Sequence, residues 1–139
     1  MMMRVLLATA ALSLAFAAPV QAQSKLPEPP QKLIEIYRIA PGQHEAFLQM
    51  IAMYDEANRI AGLPPRELFV HQDGASWDFL LIQPAETPAD KKEALAAALK
   101  KVMGGKKHFF EFRKFIAEHT DTFVSGPQSA ADYLARMKE

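Results

Sequence analysis

Two segments of the chain are apolar on both faces of an extended strand, and this feature constrains the fold more than any other. In residues 33–39, Tyr37 and Ile39 fall on one face and Ile36 on the other, and residues 77–82, WDFLLI, are also apolar on both faces. A strand with two apolar faces is usually covered on both sides. We therefore expect both segments to be central strands of a sheet.

Helical periodicity and turn residues predict the other elements. Apolar residues at three- and four-residue intervals favour a helix that begins after Pro41-Gly42 and ends before Gly62. Thr87 is predicted to cap a second helical region, which Gly104-Gly105 bend or divide into two helices. Two short, more polar strands are predicted at Glu67–His71 and Thr120–Val124. A terminal helix is predicted to begin at its cap, Ser129, and to run through Met137.

The order strand, helix, strand, strand, helix, strand is that of the ferredoxin-like βαββαβ fold, which belongs to the α+β class. In this fold the first and third strands occupy the middle of a four-stranded antiparallel sheet, where the two doubly apolar segments belong. Right-handed crossovers place both helices on one face of the sheet. The other face then exposes apolar side chains from both central strands, which is typical of an interface.

With this layout, the run IEIYRIAPGQHEAFLQM, a strand that ends in Pro-Gly and enters an amphipathic helix, resembles the dimeric α/β-barrel superfamily. That superfamily includes the antibiotic-biosynthesis monooxygenases, the NIPSNAP proteins and the EthD-like proteins. The resemblance covers Lys32 to Val124. It implies a homodimer whose two sheets pack against each other, with any ligand cavity between the sheet and the helices of each subunit.

The N-terminus has the features of a cleavable secretory signal peptide, residues 1–22. Arg4 precedes an apolar run from Val5 to Ala18, and Val20-Gln21-Ala22 places small residues at the cleavage positions. The run is shorter than the roughly 20 residues that span a bilayer. We expect cleavage after Ala22, export to the periplasm or the medium, and no membrane anchor.

Processing would leave 117 residues with 15 basic and 16 acidic side chains, because the full chain has 16 of each and only Arg4 lies in the leader. This balance gives no electrostatic case for binding nucleic acid. The chain has no cysteine, so it must be stable without disulfides. Residues 23–31, with three prolines, are predicted to be a mobile linker, residues 32–126 the α+β domain and residues 127–139 a C-terminal helix.

The most concentrated set of functional side chains is the sequence HQDGASWD, between the second and third predicted strands. His71 ends one strand and Trp77 and Asp78 begin the next, so they are expected to be neighbours across a hairpin. An imidazole beside a carboxylate can act as a general base on a small aromatic ligand. The candidate catalytic residues are therefore His71, with Asp78 or Tyr37 orienting it. The alternative is that the Asp-Gly pair makes the turn and Trp77 fills the core.

Four other side chains are candidates for ligand binding: Tyr54, Asn58, Trp77 and Arg38. Tyr54 and Asn58 lie one turn apart on the apolar side of the first helix, where Asn58 either faces a cavity or satisfies the helix end. Arg38 sits in a strand predicted to be buried, and a buried arginine needs a partner. Glu35, Asp78 or a partner subunit could supply it, in an interface ion pair rather than a substrate clamp.

We predict no metal site, because the four histidines are scattered and cysteine is absent. His71 with Asp73, or His119 with Asp121, supplies half of a site at best. No cofactor is predicted. Some members of the superfamily degrade haem with an asparagine, a histidine and a tryptophan; the same residue types stand among the candidates above, outside a family motif, so haem is an alternative.

Two functions follow from these expectations. The first is an exported homodimer whose subunit cavity holds a small apolar or aromatic molecule, with or without a cofactor-independent oxygenation or isomerisation. The second is a non-catalytic interaction protein with a filled core. Convergence of the candidate residues on one cavity would favour the first.

Overall fold

A computed structural model describes residues 26–104 and 108–138. The predicted signal peptide lies outside the described residues. The strands are β1 (Gln31–Ile39), β2 (Glu67–Val70), β3 (Phe79–Pro84) and β4 (Ile116–Ser125), and the helices are α1 (His44–Ile60), α2 (Lys92–Met103), α3 (His108–Lys114) and α4 (Ala130–Arg136). Within the described ranges, no helix is both long and apolar enough to cross a lipid bilayer.

The four strands form one antiparallel sheet in the order β2-β3-β1-β4. This order, with helices between β1 and β2 and between β3 and β4, defines the ferredoxin-like α+β fold. The two segments that are apolar on both faces are β1 and β3, and they are the two central strands. The predicted fold class and strand positions are therefore confirmed.

The edge strand β4 is longer than predicted, with 10 residues. It pairs with the whole of β1: Gln31 lies opposite Ser125 at one end, and Ile39 lies opposite Ile116 at the other. The register shifts at a bulge between Arg38 and Ile39. The prediction of Thr120–Val124 was too short because the first half of β4 is polar and carries no apolar alternation. Backbone hydrogen bonds to β1 hold this half of β4 in place. Ile116 is the first residue of the strand.

The predicted helix ends are partly confirmed. The Ser129 side chain accepts a hydrogen bond from the Asp132 backbone N–H at 3.0 Å and caps α4. Gly62 follows α1 with a φ of 70°, which favours glycine. The prediction that Thr87 caps the second helical region was wrong: a single 3-10 turn, Ala89–Lys91, precedes α2, which has no side-chain cap.

One face of the sheet, the helix face, carries the hydrophobic core. Its buried members come from β1, β3 and α1: Tyr37, Ile39, Phe47, Ile51, Phe79 and Leu81. The Phe47 ring stacks on Phe79 with ring centres 5.4 Å apart. Phe47 and Leu81 are fully buried, and removing each from water contributes about 1.5–3 kcal/mol.

The other face, the open face, is apolar and uncovered in the described structure. Because side chains alternate along a strand, the register places one apolar set on this face. These residues are Ile34, Ile36, Phe69, Leu80, Ile82 and Val124. Phe69 is 48% exposed, and the other five are half-buried. The exposed apolar face predicted from the sequence is present.

Candidate functional site

A cleft of about 420 Å³ opens on the helix face, where β1 and β4 meet α1 and α3. This volume falls within the range of small-molecule pockets. One part of its lining is apolar and aromatic, and another part is charged. The apolar wall comprises Ile51, Tyr54, Phe112 and Ile116, and the polar end comprises Glu35, Arg66, His119 and Asp121. Arg113 also lines the cleft.

Phe112 of α3 organises the apolar wall. Its ring lies 5.4 Å from the Phe47 ring in the core, and it meets Tyr54 and Tyr37 edge to face, each at 6.1 Å. Aromatic pairs at these distances and angles are favourable beyond their buried area. The wall is therefore continuous with the core, and α3 closes one side of the cleft.

The register of β1 and β4 builds the polar end. Glu35 lies directly opposite Asp121, and Tyr37 lies directly opposite His119. Residues two apart on a strand share a face, and directly opposite residues on neighbouring strands share it too. All four side chains therefore stand together on the helix face.

The Glu35 carboxylate is held from two sides. The Tyr37 hydroxyl donates to Oε1 at 2.9 Å, and Gln83 Nε2 donates to Oε2 at 2.8 Å. The side chain is 14% exposed, and Arg66 Nε lies 4.0 Å from Oε2. Glu35 thus has fixed donors and a nearby positive charge, as a buried carboxylate needs.

Tyr37 is a neutral hydrogen-bond donor at this site. Burial raises the pKa of its hydroxyl far above the ordinary value, and the negative charge of Glu35 and the hydrogen bond to it raise the pKa further. The hydroxyl therefore keeps its proton at physiological pH. Its hydrogen-bond partner is Glu35, and not His71, which Tyr37 was predicted to orient.

His119 and Asp121 are in direct contact at the mouth of the cleft. His119 Nε2 lies 2.6 Å from Asp121 Oδ1, and the imidazole stacks on the Tyr37 ring with ring centres 4.4 Å apart and planes 10° apart. Arg66 is placed by Asp55, whose Oδ1 lies 3.2 Å from Arg66 Nη1, and by the Tyr54 ring, whose centre lies 5.3 Å from the guanidinium carbon. Charged groups of both signs thus converge at one end of the cleft.

Of the seven residues proposed from sequence, Tyr37 and Tyr54 line this cleft. The other five lie elsewhere, so the candidates do not converge on one cavity, which was the observation that would have favoured the first function.

The hairpin candidates are neighbours, as expected, but they lie on the β2–β3 side of the sheet, across from the β1–β4 cleft. The His71 and Trp77 rings lie 4.8 Å apart, and the His71 N–H donates to the Asp78 carbonyl. The Asp78 carboxylate accepts from the Ile39 N–H at 2.6 Å and lies 3.3 Å from His44 Nε2. The hydrogen bond from Ile39, aided by His44, lowers the pKa of Asp78. Asp78 therefore joins β1 to α1 and does not hydrogen-bond the His71 ring.

Arg38 and Asn58 have structural partners. Arg38 pairs with Glu118, its cross-strand neighbour on β4, rather than with Glu35 or Asp78, because it faces the open side of the sheet and is exposed. Asn58 donates to the Pro64 carbonyl at 3.2 Å, which matches the alternative that it satisfies the end of the helix.

Sequence reasoning missed Glu35 and Arg66 as site residues and treated His119 with Asp121 only as an incomplete metal site. One signal was available: Glu35 with Tyr37, and His119 with Asp121, each have the two-residue spacing that places side chains on one face of a strand. The β1–β4 register joins the two pairs, and that register is not readable from either segment alone.

No family model and no curated protein matches the chain. Among solved structures, a NIPSNAP family protein from Agrobacterium tumefaciens matches with 14% identity and a TM-score of 0.47, covering 77% of this chain and 94% of that one. A candidate antibiotic biosynthesis monooxygenase from Nitrosomonas europaea matches with 20% identity and a TM-score of 0.46, covering 73% and 93%. A dimeric protein of unknown function with a ferredoxin-like fold from Bacteroides fragilis matches with 15% identity and a TM-score of 0.37, covering 69% and 95%. The ferredoxin-like fold of this chain follows from its own strand order.

Proposed function

We propose that the cleft binds a small aromatic molecule that carries a hydroxyl group. The observation that carries the proposal is the cleft itself, about 420 Å³ with aromatic side chains on one wall and a fixed carboxylate at the other end. An interaction protein with a filled core would have aliphatic side chains in this space.

The two ends of the cleft suit the two parts of such a ligand. Tyr54 and Phe112 offer ring edges and faces to an aromatic ring. Glu35, already oriented by Tyr37 and Gln83, has acceptor capacity left for a ligand hydroxyl. Arg66 beside it offsets the cost of keeping the carboxylate charged in a partly buried site.

The binding test uses 1-naphthol and its saturated analogue, decahydro-1-naphthol, by isothermal titration calorimetry. We expect 1-naphthol to bind with a Kd on the order of 100 micromolar or tighter. The saturated analogue should bind at least about tenfold more weakly, because it keeps the hydroxyl and loses the aromatic ring. Equal affinity for the two would contradict the aromatic wall.

The matched variants place tryptophan inside and outside the cleft. Ile116→Trp fills the cleft and should abolish binding, whereas Ser76→Trp, in the exposed turn before β3, should leave it unchanged. His71→Ala should also leave the affinity unchanged, since His71 does not line the cleft. Unchanged binding in Ile116→Trp would place the ligand elsewhere.

An oxygenation or isomerisation of the bound molecule extends this proposal. In the oxygenation, 1-naphthol and O2 would give 1,4-naphthoquinone and water, so the substrate supplies all the electrons and no cofactor is required. An isomerisation needs no co-reactant. It predicts a new product when the chain and 1-naphthol are incubated in air, detected by chromatography and absent with Ile116→Trp. If only unchanged 1-naphthol is recovered, the cleft binds this compound without converting it.

We also propose that the protein is exported and that a second copy covers the open face. The support for the dimer is the apolar surface of β1 and β3. Light scattering of the mature chain at micromolar concentration should give twice the subunit mass. A monomer would contradict the dimer, and full-length protein retained inside cells would contradict export.

A further inference from the structure

Three side chains at the polar end of the cleft have the residue types of a metal site. Glu35 comes from β1, and His119 and Asp121 come from β4. One ligand-type atom from each lies within 4.8 Å of the other two. The sequence offered only the His119–Asp121 half of this set, and the β1–β4 register adds the third donor.

The arrangement of the two carboxylates favours a cation between them. Glu35 and Asp121 lie directly opposite each other on neighbouring strands, where like charges repel. Arg66 lies 4.0 Å from Glu35 and is also engaged by Asp55 at 3.2 Å. A divalent ion coordinated by both carboxylates would convert this repulsion into attraction.

Side chains outside the three donors already orient two of them. Tyr37 and Gln83 each donate a hydrogen bond to one oxygen of Glu35. The Tyr37 ring stacks on the His119 imidazole at 4.4 Å and fixes its plane. Hydrogen-bonded and packed neighbours of this kind orient the ligands in protein metal sites.

We propose that Glu35, His119 and Asp121 bind one zinc ion or a similar divalent transition metal. One imidazole and two carboxylates are donors that zinc accepts, and three protein ligands leave a fourth position for water or a ligand in the cleft. Tetrahedral zinc with bonds of about 2.1 Å places neighbouring donors about 3.4 Å apart. The His119–Asp121 contact of 2.6 Å would open by less than an ångström, and the longer separations would close by side-chain rotation.

The test is calorimetric titration of zinc chloride into the purified, chelator-treated chain without an affinity tag. We expect one zinc per chain. Glu35→Gln, His119→Asn and Asp121→Asn should each weaken the affinity at least about tenfold. Zinc that binds the wild type no more tightly than all three variants would overturn the proposal.

The chain supplies its own control in a second His–Asp pair. His44 Nε2 lies 3.3 Å from Asp78 Oδ1, outside the cleft, so His44→Ala should bind zinc within about twofold of the wild type. Loss of zinc binding in His44→Ala would place the ion at the His44–Asp78 pair and overturn the proposal.

Two readouts separate the metal site from folding defects and from the aromatic site. Zinc should raise the unfolding temperature of the wild type and not of Asp121→Asn, whatever the metal-free stability of the variant. Cobalt bound to the wild type should give a visible absorption band that Asp121→Asn lacks. The metal site goes beyond the aromatic-binding proposal. Binding of 1-naphthol to the metal-free chain tests the aromatic-binding proposal by itself. A chain that binds 1-naphthol but not zinc overturns only the metal site.

Discussion

The two faces of the sheet differ in what covers them and in where their charged side chains lie. The helix face packs against helices over a buried core, yet at one end it holds a cleft with Glu35, His119 and Asp121. The open face is uncovered, yet it is largely aliphatic along the central strands, with charged pairs at Lys32–Glu67 and Arg38–Glu118. This contrast supports the proposals of a binding site on the helix face and of an interface on the open face.

The contrast is sharpest at two consecutive residues of β3. Leu81 is fully buried on the helix face, and Ile82 is half-buried on the open face. In the monomeric chain, Leu81→Ala should lower the free energy of unfolding by about 3 kcal/mol, and Ile82→Ala by about 1 kcal/mol. Urea denaturation measures both. Equal losses would mean that the two faces are equally packed in the single chain.

The open face is tested by a charge placed in its centre. Ile82→Lys should weaken dimerisation at least about a hundredfold, since an unpaired ammonium would be buried between the two sheets. Gln72→Lys, in the exposed turn after β2, is the control and should remain dimeric. Analytical ultracentrifugation over a range of concentrations distinguishes them, and a dimeric Ile82→Lys would remove the interface from this face.

A third prediction concerns Asp78, which lies directly before β3 and stabilises the fold rather than lining the cleft. The hydrogen bond from the Ile39 N–H is the main cause of the lowered pKa of Asp78 in the folded state. The charged carboxylate therefore stabilises the fold above its unfolded-state pKa, near 4. This stabilisation is lost as the pH falls through the folded-state pKa. Asp78→Asn should cost about 1 kcal/mol at pH 7. This difference should shrink as the pH falls below about 4, because Asp78 is then protonated in a growing fraction of the molecules.

The exposed Asp90→Asn is the control for Asp78 and should be neutral at both pH 7 and pH 2. Thermal unfolding followed by circular dichroism measures the differences. A cost for Asp78→Asn that is the same at pH 7 and pH 2 would show that its charge plays no part.

The smallest effect is expected at the rim of the open face. Lys32 Nζ lies 2.8 Å from Glu67 Oε1, but both side chains are accessible to water, with 27% and 56% exposure. Lys32→Ala should change stability by no more than about 0.5 kcal/mol, and salt should reduce even that. A larger, salt-insensitive loss would mean that this pair is buried in the assembled protein.

The sequence predicted the features that one segment encodes by itself. The doubly apolar patterns of β1 and β3 gave their central positions, and the exposed apolar face followed from the element order. The cleft depends instead on which β4 residue stands opposite Glu35 and on where Phe112 of α3 packs. The middle of β4, residues 118–122, is polar and carries no apolar pattern that would set its register. The compact HQDGASWD motif drew attention to residues that lie outside the cleft.

Isoleucine side chains allow the most direct test, because they mark both faces. Ile51 and Ile116 line the cleft, whereas Ile34, Ile36 and Ile82 lie on the open face. Methyl NMR of the isoleucine-labelled chain during titration with 1-naphthol should shift the signals of Ile51 and Ile116 and leave the other three in place. Shifts confined to the open-face methyl groups, or no shifts at all, would contradict a binding cleft on the helix face.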